Sequence, residues 1–227
     1  TSSDEKIVAT VLTNPLDQFF PDAVLYVADV THLEKHLLLL TQLLDLNFPV
    51  VLALNMSDLA AETGVKVNPL KLAERLKVPV VSISGRTGDN IQKLIGELER
   101  VVKGLVSNAQ NLSQTASLLD ASSQEFQPFY SFTETEKQVS EAIRLNLGTD
   151  NAYRALLLAH HHDWLPFLPK AEHDTLAAIV QTKNFQSLRS QIEETLDRYD
   201  RFTPISQEAV QTPSAFPDTT TDRLDAI

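Results

Sequence analysis

The sequence predicts an α/β unit, a three-stranded parallel sheet with helices, followed by an all-α helical bundle. Three observations carry this expectation. Short apolar runs alternate with amphipathic helical patterns up to about Val106. No strand signal returns after that point. Pro- and Asn-containing breakers punctuate the chain between patterns. The expected organisation is an α/β domain over residues 1–106, a helical domain over 107–202 and a tether over 203–227.

The elements follow in order. Residues 3–13 read as a helix with Ile7, Val8, Val11 and Leu12 on one face, ended by Asn14-Pro15. Ala23 to Ala28 is short and apolar enough for a strand buried on both faces. Leu33, Leu37, Leu40 and Leu44 step by four, three and four, as one helix face does. Val50 to Leu54 is the second strand. Asn68-Pro69 opens a short helix through Leu76, with Asn68 as cap and Pro69 at the first helical position. Val80 to Ile83 is the third strand, and Asp89 to Val106 the next helix. Strands alternating with helices imply right-handed parallel crossovers. Further helical patterns occupy 107–119, 134–147, 151–162, 171–182 and 184–200, which suits an antiparallel bundle. Residues 203–221 hold three Pro with many Thr and Ser and read as a linker.

Composition narrows the function classes. The net charge of −11 argues against nucleic acid or anionic lipid as partners. The excess is uneven, with 13 acidic and 10 basic residues before position 107 and 17 and 9 after it. Cysteine is absent, which excludes disulfides, zinc–thiolate sites and thiol catalysis. No run approaches eighteen consecutive apolar residues, and no secretory leader is visible at Thr1.

The most informative stretch is Val50-Val51-Leu52-Ala53-Leu54-Asn55-Met56-Ser57-Asp58. It is a buried strand ending in an Asn and an Asp three residues apart. The Asn55 amide can donate to and accept from base atoms. The Asp58 carboxylate can accept the paired N1–H and N2–H₂ donors of guanine, which adenine lacks. Open α/β sheets bind ligands at this carboxyl end. After the next strand come Ser84-Gly85-Arg86-Thr87-Gly88, a turn able to present backbone N–H groups to the guanine O6. Singly, Asp58 reads as a helix cap and Ser84 to Gly88 as an ordinary turn. Together, each after a buried strand, they read as a guanine site comprising Asn55, Met56, Asp58, Ser84, Gly85 and Arg86.

The phosphate half of such a site is missing from these residues. No Gly is followed by Lys, so there is no Gly-x-x-x-x-Gly-Lys cradle, and no Gly has Asp three positions earlier. Without a nest of N–H groups and a Lys, triphosphate charge has no counterpart. No catalytic residue is assigned, and the chain alone is expected not to hydrolyse GTP.

The runs Thr1-Ser2-Ser3-Asp4-Glu5-Lys6-Ile7-Val8, Tyr26 to Leu37 and Asn55-Met56-Ser57-Asp58 resemble the FeoB ferrous iron transporters. Met56 stands where most small GTPases have Lys, as is typical of that family. Asn151 to Leu158 and Thr221 to Ile227 extend the likeness to both ends. The resemblance implies a partial P-loop GTPase-type sheet beginning past the Asp-x-x-Gly switch, then a helical regulatory domain. It further implies a linker to a membrane domain, at the cytoplasmic face of the bacterial inner membrane. GTP or GDP would be the nucleotide of the intact protein, bound weakly or not at all by this segment. Gly85 departs from the usual Ala. A sheet lacking its neighbouring strands is also expected to expose an edge and to self-associate. The alternatives are a non-catalytic interaction module and another guanine-nucleotide-binding protein.

Other candidates have plainer readings. Consecutive imidazoles at His160, His161 and His162 point about 100° apart on a helix and cannot converge on one metal. Asp29 reads as a cap, and Trp164, Leu165, Phe167 and Leu168 as core. The cluster from Phe126 to Phe132 reads as cover between domains. Glu193, Glu194, Asp197 and Asp200 read as a solvated helix face.

Overall fold

The computed structural model describes residues 3–112 and 128–211. The first half contains α1 (Ser3–Thr13), β1 (Val24–Asp29), α2 (Leu33–Asp45), β2 (Val50–Asn55), α3 (Ser57–Thr63), β3 (Lys66–Val67), α4 (Pro69–Leu76), β4 (Val80–Ser82) and α5 (Ile91–Leu112). The second contains α6 (Glu134–Leu147), α7 (Ala152–His161), α8 (Lys170–Thr182), α9 (Ser187–Ala209) and β5 (Val210–Gln211). The expected α/β sheet followed by helices is what forms. The predicted helix over 107–119 is present to Leu112, and 113–127 lie outside the described residues, Phe126 among them.

β1, β2 and β4 make a parallel sheet in that order, with Val24 opposite Val50 and Leu52 opposite Val80. β2 is the middle strand. Val50, Leu52 and Leu54 face α2 and α4, while Val51 and Ala53 face Ile91, Leu94, Leu98 and Val101 of α5. Both faces are therefore covered, which explains the unbroken apolar run. Capping punctuates the helices as the sequence predicts. The Asn68 side chain accepts from the Lys71 N–H at 3.1 Å, ahead of Pro69. Asp29 accepts from the Thr31 N–H at 2.8 Å and caps a 3₁₀ turn over Val30–His32. Thr133 and Glu136 form a reciprocal capping box on α6.

β1 and β4 are the two edges of this sheet among the described residues. Leu25 and Val27, 41% and 51% exposed, lie on the face shared with Val51 and Val81, beyond the cover of α5.

The second half is not a separate bundle. One continuous core runs from Leu37, Leu52 and Leu76 to Ile143, Leu156, Leu165, Leu176 and Phe202. α9 packs on α2 and α4. It also corrects the expected tether. The helix passes through Pro204 to Ala209, and Val210–Gln211 then pair antiparallel with β3. Proline removes one N–H without ending this helix, because Phe202, Ile205 and Ala209 bury their side chains on the first half. The loop-like composition of 203–211 is thus overridden by packing, and 212–227 lie outside the described residues.

A buried ion network joins the halves. Arg198 of α9, with a fully buried side chain, meets Asp45 at the end of α2 (Nη2 to Oδ2, 2.7 Å) and Glu194 (Nε to Oε1, 2.7 Å). Its guanidinium lies over the rings of Tyr130 and Tyr153, at 5.6 and 4.8 Å. The Tyr153 hydroxyl donates to Glu194 at 2.5 Å, and the Phe129 and Tyr130 N–H groups donate to Asp45 at 2.7 and 3.1 Å. Burial raises the Asp45 carboxyl despite the adjacent guanidinium. Glu194 corrects the reading of a solvated acidic face. It is buried because it is the i−4 partner of Arg198, while Glu193, Asp197 and Asp200 stay more exposed.

The histidines diverge as helical geometry requires. His160 is buried, its Nδ1 2.9 Å from Ser187 Oγ. His161 stacks on Trp164, and His162 Nδ1 meets the Ala159 carbonyl. His173 spends both ring nitrogens on the carbonyls of His162 and Leu165. No metal-holding group of His, Asp or Glu exists among the described residues.

Three outcomes test this packing. Arg198→Met should cost about 3–5 kcal/mol in urea unfolding, since it strands two buried carboxylates. Burial, with His161 nearby, pushes the His160 imidazole down from 6.5 to about 3. The folded state therefore prefers neutral His160. Its contribution is complete above pH 6.5 and declines as pH falls toward 3, by up to about 1.4 kcal/mol per unit. His160→Gln should flatten that part of the stability–pH curve. Light scattering at rising concentration should show self-association that Val27→Lys diminishes, with stability altered by about 0.5 kcal/mol or less.

Candidate functional site

β2 ends at the rim of the sheet, where its burial ends, and Asn55 is the first polar residue there. The next residue, Met56, takes a left-handed conformation (φ 66°) that turns the chain sharply into α3. The Ser57 N–H donates to the Ile83 carbonyl at 3.1 Å, tying this turn to the end of β4. The two segments singled out in the sequence, Asn55–Asp58 and Ser84–Gly88, are thereby adjacent.

They are bonded side chain to loop. The Gly85 N–H donates to Asn55 Oδ1 at 2.9 Å, fixing the amide so that Nδ2 remains its donor side. Ser84 is fully buried. Its hydroxyl donates to the Asp58 carboxylate and accepts the Thr87 N–H at 3.1 Å. The Gly88 N–H closes the turn on the Ser84 carbonyl at 2.8 Å. A Cβ at Gly85 would lie 3.4 Å from Asn55 Oδ1, so alanine fits there. The close approach does not demand glycine.

Asp58 lies in the first turn of α3. The Ser84 hydroxyl holds its carboxyl below the usual range, helped by the N–H groups of Asp58 and Leu59 and by the Arg86 guanidinium. It is an ionised acceptor at neutral pH. Arg86 Nη2 lies 2.6 Å from Asp58 Oδ2 and 2.8 Å from Glu62 Oε1. Met56, 40% exposed, stands beside the site with its side chain free of the core.

Asn55, Asp58, Ser84, Gly85 and Arg86 therefore form one contiguous group at the carboxyl rim, with Met56 as the hinge. Two roles differ from the expected ones. The Gly85 N–H is committed to Asn55 rather than offered outward, and Arg86 is bound to Asp58. Glu62 was not singled out in the sequence. Its signal was the i, i+4 spacing from Asp58, which places both carboxylates on one face of α3.

Residues 1–98 match the family model described as "Ferrous iron transport protein B". The chain is 35% identical over 103 residues to the Fe(2+) transporter FeoB of Staphylococcus aureus (strain MSSA476), covering 45% of this chain and 15% of that protein. It is 32% identical over 125 residues to the Fe(2+) transporter FeoB of Helicobacter pylori (strain 26695), covering 54% and 18%. The matched region thus spans under a fifth of these relatives. Among solved structures, the cytosolic domain of L. pneumophila FeoB aligns with a TM-score of 0.65 at 23% identity, covering 93% of this chain and 75% of that one. The cytosolic domain of T. maritima FeoB in apo form aligns at 0.59 and 20%, with the same coverage. That of S. thermophilus NFeoB bound to mGMPPNP aligns at 0.56 and 22%, covering 95% and 76%. Through residues 1–98 this chain is similar to the ferrous iron transport protein B family, and over nearly its whole length it shares the fold of the FeoB cytosolic domains named above.

Proposed function

We propose that this chain is the guanine-reading and coupling portion of a GTP-regulated ferrous iron transporter, working at the cytoplasmic face of the membrane that holds the transport domain. Residues 1–106 then serve as the later half of a G domain and 107–202 as its helical regulator. The observation that carries this is the convergence of Asn55 and Asp58 with Ser84 and Gly85 at one rim of a parallel sheet. Relatives with the same fold have been solved with GDP and with GMPPNP. No described helix is long and apolar enough to cross a membrane, so transport falls to another part of such a protein.

The chemistry follows from the fixed groups. Asp58, ionised and oriented by Ser84, accepts the N1–H and N2–H₂ pair. Asn55, oriented by Gly85, donates through Nδ2 to the base. An acceptor pair of this kind leaves adenine without a match. The sequence holds no Gly-x-x-x-x-Gly-Lys cradle for phosphates, so base contacts are expected to set the affinity. The helical part packs through α9 on α2 and α4, which cover one face of the sheet, and this gives nucleotide state a route to a second site. Coupling requires α9 to pack differently in the two states.

Titration of the chain with guanosine, followed by amide chemical shifts, should give a dissociation constant of about 1 mM or weaker, with shifts clustered at 55–58 and 84–86. Asp58→Ala should abolish binding, whereas adenosine should leave the spectrum unchanged. Binding should persist in mild acid, because Asp58 ionises below the usual carboxylate range. Magnesium-dependent phosphate release from GTP should be undetectable. Shifts elsewhere, indifferent to Asp58→Ala, would leave an interaction module in place of a guanine site.

A further inference from the structure

Arg86 stands where the proposed ligand must go. A carboxylate offers about four acceptor positions. The Arg86 Nη2 lies 2.6 Å from Asp58 Oδ2 and so occupies acceptor positions that a guanine edge would need. The same Nη2 is anchored by Glu62 at 2.8 Å, so the guanidinium is braced between two carboxylates one helical turn apart. A guanidinium edge and a guanine edge present the same feature to a carboxylate, paired N–H donors in one plane. The Arg86 side chain is 66% exposed and so is free to move into solvent, while Asp58 is held in the first turn of α3.

We propose that Arg86 is an internal competitor of the guanine edge, occupying the Asp58 carboxylate in the empty protein and swinging away when the base enters. The idea rests on the guanine reading above and alters one assignment within it. Arg86 opposes base binding, where its position in the turn had suggested support. Glu62 serves as the resting place that keeps the guanidinium in reach. A ligand that makes no contact with Asp58 has no reason to displace Arg86. The competition therefore acts on guanine and spares adenine, and it sets a threshold that the base must overcome.

The test is guanosine and adenosine titration of the chain, of Arg86→Ala and of Asp58→Ala, by amide shifts at low and high salt. Exposed pairs of this kind are weak. Arg86→Ala should therefore bind guanosine about three- to five-fold more tightly, equivalent to about 0.7–1 kcal/mol. The gain should shrink at high salt, where the pair is screened, and adenosine should be unaffected. Arg86→Lys, which keeps charge and loses the planar fork, should fall between. Equal guanosine affinity in wild type and Arg86→Ala, with Asp58→Ala still inactive, overturns the competitor and leaves the guanine site standing. Weaker binding by Arg86→Ala overturns it in favour of a supporting role. No guanosine binding by any variant overturns the guanine reading and this inference together.

Discussion

A parallel strand covered on both faces can carry polar side chains only where its burial stops. β2 is such a strand, hydrogen-bonded to β1 on one side and β4 on the other. The rest of the site depends on that constraint. Six residues from Val50 to Asn55 run through the core, and the first amide emerges at the rim. The left-handed turn at Met56 starts α3 immediately, so Asp58 follows within one turn. β4 runs parallel to β2 and ends at the same rim, which delivers Ser84 and Gly85 to the same place. Sheet topology, more than any local motif, brings the two loops into bonding distance.

The second half adds a different kind of constraint. Arg198 carries a charge into the buried core, and it is tolerated there because Asp45 and Glu194 surround it with the Tyr130 and Tyr153 rings. Loss of solvent is the main reason the Asp45 carboxyl is raised, with Arg198 opposing it and Glu194 adding a smaller upward push. The network touches α2, α7, α9 and the irregular segment before α6 at once. Moving α9 relative to α2 would break charged contacts as well as apolar ones. Such a joint favours one arrangement over a continuum of nearby ones.

Much of this was legible from the residues, and what was not has physical causes. The three strands, the Asn68 cap and the helix faces follow from periodicity and turn chemistry, which act locally. The adjacency of Asn55–Asp58 and Ser84–Gly88 was legible because parallel strands share an end. Glu194 was misread because a carboxylate at a helical i, i+4 spacing from an arginine looks the same buried or solvated. The helical character of 203–209 was hidden by Pro204 and by neighbours with poor helix propensity. Tertiary burial of Phe202, Ile205 and Ala209 outweighs both. The two-residue β3–β5 pairing was invisible, since its partners are more than 140 positions apart and carry no pattern of their own.

That small antiparallel ribbon occupies a telling place. β3 lies between α3, which carries Asp58, and α4, which leads into β4 and the Ser84 turn. Glu208, just before the ribbon, lies 3.6 Å from Lys71 and 4.0 Å from Arg75 on α4. The far end of α9 thus grips the chain midway between the loops that carry Asn55–Asp58 and Ser84–Gly88. Anything that shifts the end of α9 therefore acts on the segment between those loops before it reaches either one, like a hand on the spine of an open book.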